Sequence, residues 1–356
     1  MTFPTALTYG LLGKNVSGQV IQWIAYVVVY AHFFLKMSSY LLTAAKSVQT
    51  MLWMKDICLY WATLGSLLVL FPLCQLRTLH QISFAGAVSV FTIGVVIMIL
   101  LGQAYATWDQ RGDIVIEAGP QGTGYEGFMS GFSAMTSLVF AYGGQGMYLE
   151  TMSEMRNPAD FPKALYIFSF LILSFYLWSS LSLYFRYGEN SYGNILFNMN
   201  DGVLKTVASV FMFLHVCISF CLNSQLLARA LHVRTCPKGV KSGGKKEAGQ
   251  WFIITACTVL GAWIVANAIP FFSDLNGIIS SLCVGPTTYG FPAMFYLLAC
   301  RNANKHIPLY ETLICYIMII IAVFFVFVGT GTDFVKIIQD WGTFGEPFSC
   351  ILLSQS

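Results

Sequence analysis

The sequence predicts an all-α integral membrane protein, a polytopic helical bundle of about nine transmembrane helices. Of its 356 residues, 56% are hydrophobic and only 10% are charged, and the mean hydropathy is +0.68. Soluble domains carry about a quarter charged residues. The apolar residues also come in runs of about 20, the length of a helix that crosses the hydrocarbon of a bilayer. These observations exclude a soluble enzyme, a disordered scaffold and, with a net charge of only +3, a nucleic-acid-binding protein.

Nine charge-poor runs are long enough to span the membrane. Helix is the expected conformation, because unpaired backbone groups in lipid are too costly for open strands. The predicted spans are 16–42, 57–76, 82–101, 128–149, 164–185, 206–228, 251–272, 275–300 and 312–331. Only Ser273 and Asp274 separate the seventh span from the eighth, which predicts a tight hairpin.

The placement of Lys and Arg predicts a cytoplasmic N-terminus and a C-terminus on the outer or lumenal side. In this orientation twelve of the nineteen basic residues lie in cytoplasmic segments and six lie on the other side. The acidic segment 103–127 then lies outside, and the basic loop 235–249, which we interpret as a flexible linker, lies inside. The opposite orientation would invert this bias.

The ten cysteines, Cys58 among them, lie mostly in or beside apolar runs. Buried cysteine behaves as a small hydrophobic residue. The sequence contains no CxxC pair and no paired metal-ligand spacing. We therefore expect neither a disulfide framework nor a metal site.

Three glycines interrupt the fourth predicted span, at Gly143, Gly144 and Gly146. Each destabilises a helix by about 1 kcal/mol relative to alanine. Close helix packing is one explanation, but it needs small residues spaced four apart on one face. A break in the helix is the other, and its peptide groups are tolerated in lipid only where they line a buried polar cavity. We favour the break, which is typical of a transporter's binding site.

The eighth predicted span contains Pro286 and Pro292, each of which removes a backbone donor and kinks a helix. Thr287, Thr288 and Tyr289 lie between them and are placed to bond to the freed carbonyl groups. A kinked packing helix and a gating element both fit this pattern.

Ser219 and Asn223 are four positions apart in the sixth predicted span and therefore share a helix face with His215. Such a polar stripe suits the wall of an ion or substrate cavity, and hydrogen bonding between helices explains it equally well. The sequence lacks GxSxG, HExxH and P-loop motifs, so no enzyme activity is expected.

Several segments resemble signatures of the amino acid/auxin permease family. The most specific block is similar to the sixth helix of that family and its continuation: residues 137–145, 149–150, 155–158 and 161–164 (SLVFAYGGQ, LE, MRNP and FPKA). Supporting resemblances are found in residues 72–79 with 83–84 (PLCQLRTL and SF), 285–297 (GPTTYGFPAMFYL) and 9–13 (YGLLG). Together these segments cover almost the whole chain in the family's order.

The resemblance implies an eleven-helix, leucine-transporter-like fold with two inverted five-helix repeats. Such proteins carry amino acids by alternating access, as symporters driven by a proton or sodium gradient. In that fold the broken first and sixth helices hold the substrate, and the sixth offers carbonyl groups to its amino group. Carried over to this chain, the resemblance gives a substrate-binding set of Phe140, Ala141, Tyr142, Gly143, Gly144, Gln145 and Gly146. Ser219 and Asn223 would then line the ion or substrate cavity.

The implied partners are an amino acid and the lipid bilayer, with no nucleic acid and no cofactor beyond H⁺ or Na⁺ as coupling ion. Protein partners are not predicted. The expected location is the plasma membrane or a vacuolar or lysosomal membrane.

The nine spans correspond to family helices three to eleven in a single transmembrane domain, residues 1–356. Residues 16–101 form a partial first repeat, 128–300 the second repeat, and 309–331 the last helix. Because the first two helices are missing from this correspondence, the alternative is a non-transporting sensor or regulatory partner, or an inactive fragment. Gln145 stands where many relatives place a histidine, which argues against proton coupling through that position.

Overall fold

A computed structural model describes residues 8–52, 57–75, 82–110, 123–188, 191–192, 194–236, 244–269, 272–344, 348 and 350. These residues form helices and no strands, which confirms the all-α fold class. The α-helices are α1 Tyr9–Ser17, α2 Gln19–Met51, α3 Leu59–Cys74, α4 Ile82–Ala106, α5 Gly124–Ala141, α6 Tyr148–Glu154, α7 Phe161–Tyr187, α8 Val203–Thr235, α9 Lys245–Ala268, α10 Phe272–Ile279, α11 Phe291–Asn302, α12 Leu309–Phe324 and α13 Thr330–Phe344. Three π-helical segments occur at Ser280–Val284, Pro286–Gly290 and Phe325–Gly329.

Six helical runs in the described part of the chain are long and apolar enough to cross a membrane. They are Gln19–Met51, Phe84–Ala106, Pro158–Tyr187, Val203–Thr235, Lys245–Ala268 and Leu309–Gln339. Three of the nine predicted spans do not qualify as single long helices. One is α3, with only 16 residues, and the other two, α5–α6 and α10–α11, are irregular along their length. The protein is an integral, multi-pass membrane protein.

The first predicted span, 16–42, is wrong at both ends. Gly18, whose φ of 95° favours glycine, follows α1 and turns the chain into α2, which continues to Met51. Polar residues do not end α2, because they bond to its own carbonyl groups. Thr43 Oγ1 donates to Ser39 O at 3.0 Å, and Ser47 Oγ donates to Thr43 O at 2.8 Å.

Two predicted connections also differ. Ser273 and Asp274 do not form a hairpin turn, since they lie in the first turn of α10. The predicted linker 235–249 is shorter, because α8 includes Thr235 and α9 begins at Lys245. Its residues 237–243 lie outside the described residues, as do residues 111–122 of the acidic segment.

The chain divides into two compact units. Unit 1 comprises Met1–His32, Gly119–Leu173 and Asn276–Ile338, and unit 2 comprises Phe33–Ala118, Ser174–Leu275 and Gln339–Ser356. The helices α2, α7, α10 and α13 therefore begin in one unit and end in the other. This division does not test the repeat assignment, which stays a prediction.

Unit 2 combines an apolar cluster with polar links between helices. The buried cluster comprises Val96, Leu100, Leu101, Ala104, Leu183, Tyr187, Leu196, Met199 and Ala208, mainly from α4, α7 and α8. Gln75 Nε2 donates to Thr255 Oγ1 at 2.9 Å, and Asn267 Nδ2 donates to Thr63 Oγ1 at 3.2 Å. Hydrogen bonds of this kind hold membrane helices together where apolar burial alone gives no driving force. These two bonds link α9 to both ends of α3, at Thr63 and at Gln75, which directly follows the helix.

A disulfide in unit 2 corrects the expectation that the cysteines are unpaired. Cys58, just before α3, is bonded to Cys350 across 292 positions of sequence. Nearby, the Phe348 backbone N–H donates to Asn267 O at 3.1 Å, and the Phe348 ring lies 6.3 Å from that of Trp263. The segment containing Cys350 is therefore attached to the start of α3 and the end of α9. The other eight cysteines are free thiols, and five of them are buried.

Unit 1 is packed through glycines where α10–α11 meets the last helical run. A Cβ atom added at Gly290 would lie 3.0 Å from Ala322 Cβ, and one at Gly285 would lie 3.0 Å from Phe325 Cβ. Phe132 of α5 packs against Phe325, with ring centroids 5.4 Å apart. The helices that surround the candidate site are thus held in close contact.

Candidate functional site

The candidate site is an interruption in the fourth predicted span, within unit 1. α5 ends at Ala141, and residues 142–144 form a turn. A short 3-10 turn, Gln145–Met147, follows before α6 begins at Tyr148. The interruption coincides with the three glycines of the sequence.

The backbone hydrogen bonds of the interruption depart from those of an α-helix. Gly143 N donates to Phe140 O at 3.0 Å, three residues back, and Gly144 N donates to Tyr142 O at 2.9 Å, two residues back. An α-helix bonds four residues back along its whole length. The ladder is therefore broken, and the peptide groups here point in directions that a continuous helix does not offer.

One side of the interruption is packed against protein and the other is accessible. The predicted residues divide as follows: Gly143 and Gly146 are buried, Ala141 and Gly144 are exposed, and Phe140, Tyr142 and Gln145 are half-buried.

Val284 sets the space available at Gly143. A Cβ atom at Gly143 would lie 2.8 Å from Val284 Cγ1, 2.9 Å from Val284 Cγ2 and 3.1 Å from Phe140 O. A β-branched side chain is stiff at χ1 and cannot easily turn away. The φ angle of Gly143 is not in the left-handed region, so its backbone conformation does not require glycine. Glycine is needed here because Val284 approaches so closely.

Gln145 is held by a side chain from another helix. Thr288 Oγ1, in the π-helical segment Pro286–Gly290, donates to Gln145 Oε1 at 2.9 Å. This bond uses the amide oxygen of Gln145 as the acceptor. The amide nitrogen, which carries two N–H donors, therefore points away from Thr288.

The prolines of the eighth predicted span lie beside irregular helix: Pro286 begins the π-helical segment Pro286–Gly290, and Pro292 is the second residue of α11. Thr287 Oγ1 lies 2.8 Å from Cys283 O and donates to this carbonyl group, four residues back. The carbonyl group four residues before Pro286 is that of Leu282, so this bond does not test the prediction for Thr287. The prediction is wrong for Thr288, which bonds to Gln145 instead. Tyr289 stacks on Phe325, with ring centroids 6.5 Å apart. π-Helical turns inside α-helices occur frequently at functional sites.

Ser219 and Asn223 lie on α8, in unit 2. Asn223 Nδ2 donates to Ser219 O at 2.8 Å, whereas the buried Asn223 Oδ1 has no hydrogen-bond partner in the described protein. One turn earlier His215 Nδ1 lies 2.9 Å from Ser89 Oγ on α4. His215 is thus used in a link between helices, and the role of Ser219 and Asn223 stays a prediction.

The residues of the interruption carry no charged side chain. They offer peptide dipoles, one amide and one phenol, which suit a small polar ligand. Among the described residues no three His, Cys, Asp or Glu side chains are grouped as a metal ion would require.

Sequence reasoning missed Val284 as a partner of the interruption. Val284 is 141 positions from Gly143 and lies in an ordinary apolar run, so no local pattern marks it. Asp333 and Ser281, which support the same π-helical segment, were also missed, because Asp333 lies beyond the predicted end of the last span.

The fold and the interruption together define a class of protein. It is a polytopic membrane protein in which a helix is discontinuous at a predicted binding site, as in secondary transporters. Comparison with known proteins specifies the family. The family model described as transmembrane amino acid transporter protein matches residues 2–333. The chain belongs to this family, whose members are transporters and not enzymes.

Individual relatives agree with the family assignment. The chain is 27% identical over 233 residues to the N amino acid transport system protein of Neurospora crassa. The aligned region covers 63% of this chain and 49% of the relative. It is 24% identical over 269 residues to a transmembrane transporter of Fusarium pseudograminearum, covering 73% and 56%. It is 24% identical over 239 residues to auxin transporter-like protein 1 of Medicago truncatula, covering 62% and 48%. The chain thus spans about half the length of the curated relatives that it matches.

Proposed function

We propose that this protein carries amino acids across a membrane by alternating access, with the substrate held at the interruption between α5 and α6. The observation that carries the proposal is the broken hydrogen-bond ladder at Gly143 and Gly144 in a chain of this family. Non-helical backbone at membrane depth is tolerated only where it is buried in protein or lines a cavity. Transporters use such discontinuous helices to bind substrates.

The amino group of the substrate binds to the carbonyl end of α5. Carbonyl groups at the C-terminus of a helix carry a partial negative charge, which stabilises a cation. We assign this role to the carbonyl groups at the end of α5, among them Phe140 O, which accepts a hydrogen bond from Gly143 N. The half-buried Tyr142 and Gln145 flank this position with uncharged polar groups. A zwitterion with an uncharged side chain is the ligand that this environment suits best.

Uptake and binding of radiolabelled amino acids by the purified protein in liposomes test the proposal. We expect uptake that requires an imposed proton or sodium gradient, and comparing the two gradients identifies the coupling ion. Equilibrium binding is measured on the same preparation. Binding without gradient-driven flux would identify a sensor or regulatory partner. If the protein shows no binding and no flux, the proposal is rejected.

We also infer that the end of the molecule containing the Cys58–Cys350 disulfide faces the outside or the lumen. Disulfides persist in oxidising compartments and are rare in the cytosol. The distribution of Lys and Arg, which favours a cytoplasmic N-terminus, independently supports the same orientation.

Mass-tagging of thiols in sealed vesicles of known sidedness tests the orientation. An impermeant reductant followed by an impermeant maleimide is expected to add two tags when both reagents are on the non-cytoplasmic side. The Cys58→Ser/Cys350→Ser variant is the control and is expected to gain none. Two additional tags in vesicles that expose only the cytoplasmic face would contradict the proposed orientation.

A further inference from the structure

Asp333 is a buried carboxylate that sequence analysis places outside the predicted spans. It lies in the first turn of α13 and is only 3% exposed. Its Oδ2 accepts a hydrogen bond from Ser281 Oγ. A Cβ atom at Gly277 would lie 2.8 Å from Asp333 Oδ1, so the backbone of α10 approaches the carboxylate closely. Burying a carboxylate is costly unless it is bonded, and ionisable groups within membrane proteins are usually functional.

Ser281 belongs to the π-helical segment Ser280–Val284, which continues α10. Its hydroxyl lies 3.0 Å from Gly277 O, the acceptor that a serine in a regular helix would use. The hydroxyl has a single proton, and a charged acceptor forms the stronger hydrogen bond. The bond to Asp333 therefore holds this segment to α13 across helices.

The segment that Asp333 holds is the one that packs on the substrate site. Ser280–Val284 ends at Val284, whose two methyl groups lie against Gly143. Four residues further on, Thr288 donates to Gln145. Rotating this stretch of helix would move both contacts, because Ser281 and Val284 are separated by less than one helical turn.

The next turn of α13 adds a second polar contact, to a different helix. Lys336 Nζ donates to Ser133 Oγ of α5 at 3.3 Å, and α5 is the helix that ends at the interruption. α13 thus bonds both to the helix that forms the substrate site and to the helix that packs against it. Both contacts lie within unit 1.

We propose that Asp333 is a positioning residue for substrate binding: through Ser281 it fixes the rotation of Ser280–Val284 and hence the place of Val284 at the broken helix. This inference rests on the proposed function. Asp333 does not touch the substrate in this arrangement, and its effect passes through one hydrogen bond and one turn of helix.

Transport kinetics of four variants in liposomes test the proposal. We expect Asp333→Ala and Ser281→Ala each to raise the KM for the amino acid at least about tenfold, the loss typical of a hydrogen bond to a charged group. The maximal rate per folded protein is expected to change less. Asp333→Asn keeps an acceptor oxygen without the charge and is expected to raise KM less than Asp333→Ala does. Asp201→Asn, an exposed acid paired with Lys205 in unit 2, is the matched control and is expected to behave as wild type.

A double variant separates positioning from general destabilisation. If the two residues act through one bond, Asp333→Ala/Ser281→Ala raises KM no further than either single change. Unchanged KM with less folded protein, or additive effects of the two changes, would overturn the proposal. If the wild type binds without flux, the same variants are compared by equilibrium Kd. A wild type that neither binds nor transports amino acids rejects the proposed function, and this inference with it.

Discussion

Gly143→Ala is expected to reduce amino acid uptake at least about tenfold, because the added methyl group forces apart the interruption and the π-helical segment. The new Cβ would lie 2.8 and 2.9 Å from the two methyl groups of Val284, and 3.1 Å from Phe140 O. Both Val284 methyl groups face the clash, so no rotation of a stiff χ1 removes it. The strain falls on the carbonyl group that is proposed to bind the substrate.

Gly65→Ala, in α3 and outside the candidate site, is the matched control for this experiment. No atom outside the local helix backbone lies within 4 Å of its added Cβ, so the methyl group is accommodated without a clash. We expect this variant to retain most of the uptake. Val284→Ala removes both methyl groups that clash, so the Gly143→Ala/Val284→Ala variant should regain part of the lost activity. Equal effects of the two glycine substitutions, or no recovery in the double variant, would show that close packing at Gly143 does not control the site.

The interruption itself could be predicted from sequence, whereas the residues that hold it could not. Glycine is the least stable ordinary residue in a helix, so Gly143, Gly144 and Gly146 leave a strong local signal. Val284 and Thr288 leave none, because valine and threonine are ordinary residues of a membrane helix. Their importance comes from tertiary contacts with positions more than 140 residues away.

The helix boundaries show a second limit of sequence reasoning. Charged and polar residues were expected to end the first and last spans, yet α2 continues past Lys46 and α13 past Asp333. Lys46 is buried with its ammonium group 5.7 Å from the centre of the Phe197 ring, and Asp333 is bonded to Ser281. Polar residues remain inside such helices once they find partners, and those partners are distant in sequence. The disulfide of Cys58 is hidden for the same reason, since its partner Cys350 is 292 positions away.

Gly329→Ala is expected to destabilise the folded protein more than any other single methyl addition discussed above. Gly329 ends the π-helical segment Phe325–Gly329, where the last helical run crosses its neighbours. An added Cβ would lie 2.7 Å from Ser281 Oγ, 2.9 Å from Ser281 Cβ and 3.0 Å from Phe132 Cε1. Ser281 cannot move aside without breaking its bond to Asp333, and Phe132 is packed between aromatic rings. Overpacking of this kind costs about 1–3 kcal/mol.

Gly331→Ala, two residues further along, provides a control of opposite sign. No atom outside the local helix backbone lies within 4 Å of its added Cβ, so the substitution gains up to about 1 kcal/mol of helix propensity without a clash. Thermal unfolding in detergent, followed by tryptophan fluorescence, should show a lower Tm for Gly329→Ala and an unchanged or higher Tm for Gly331→Ala. Since the clash at Gly329 acts on Ser281, the residue that Asp333 holds, Gly329→Ala should also weaken amino acid binding in the protein that remains folded. A Gly329→Ala protein with the wild-type Tm would mean that α13 and the π-helical segment at Ser281 are not in close contact.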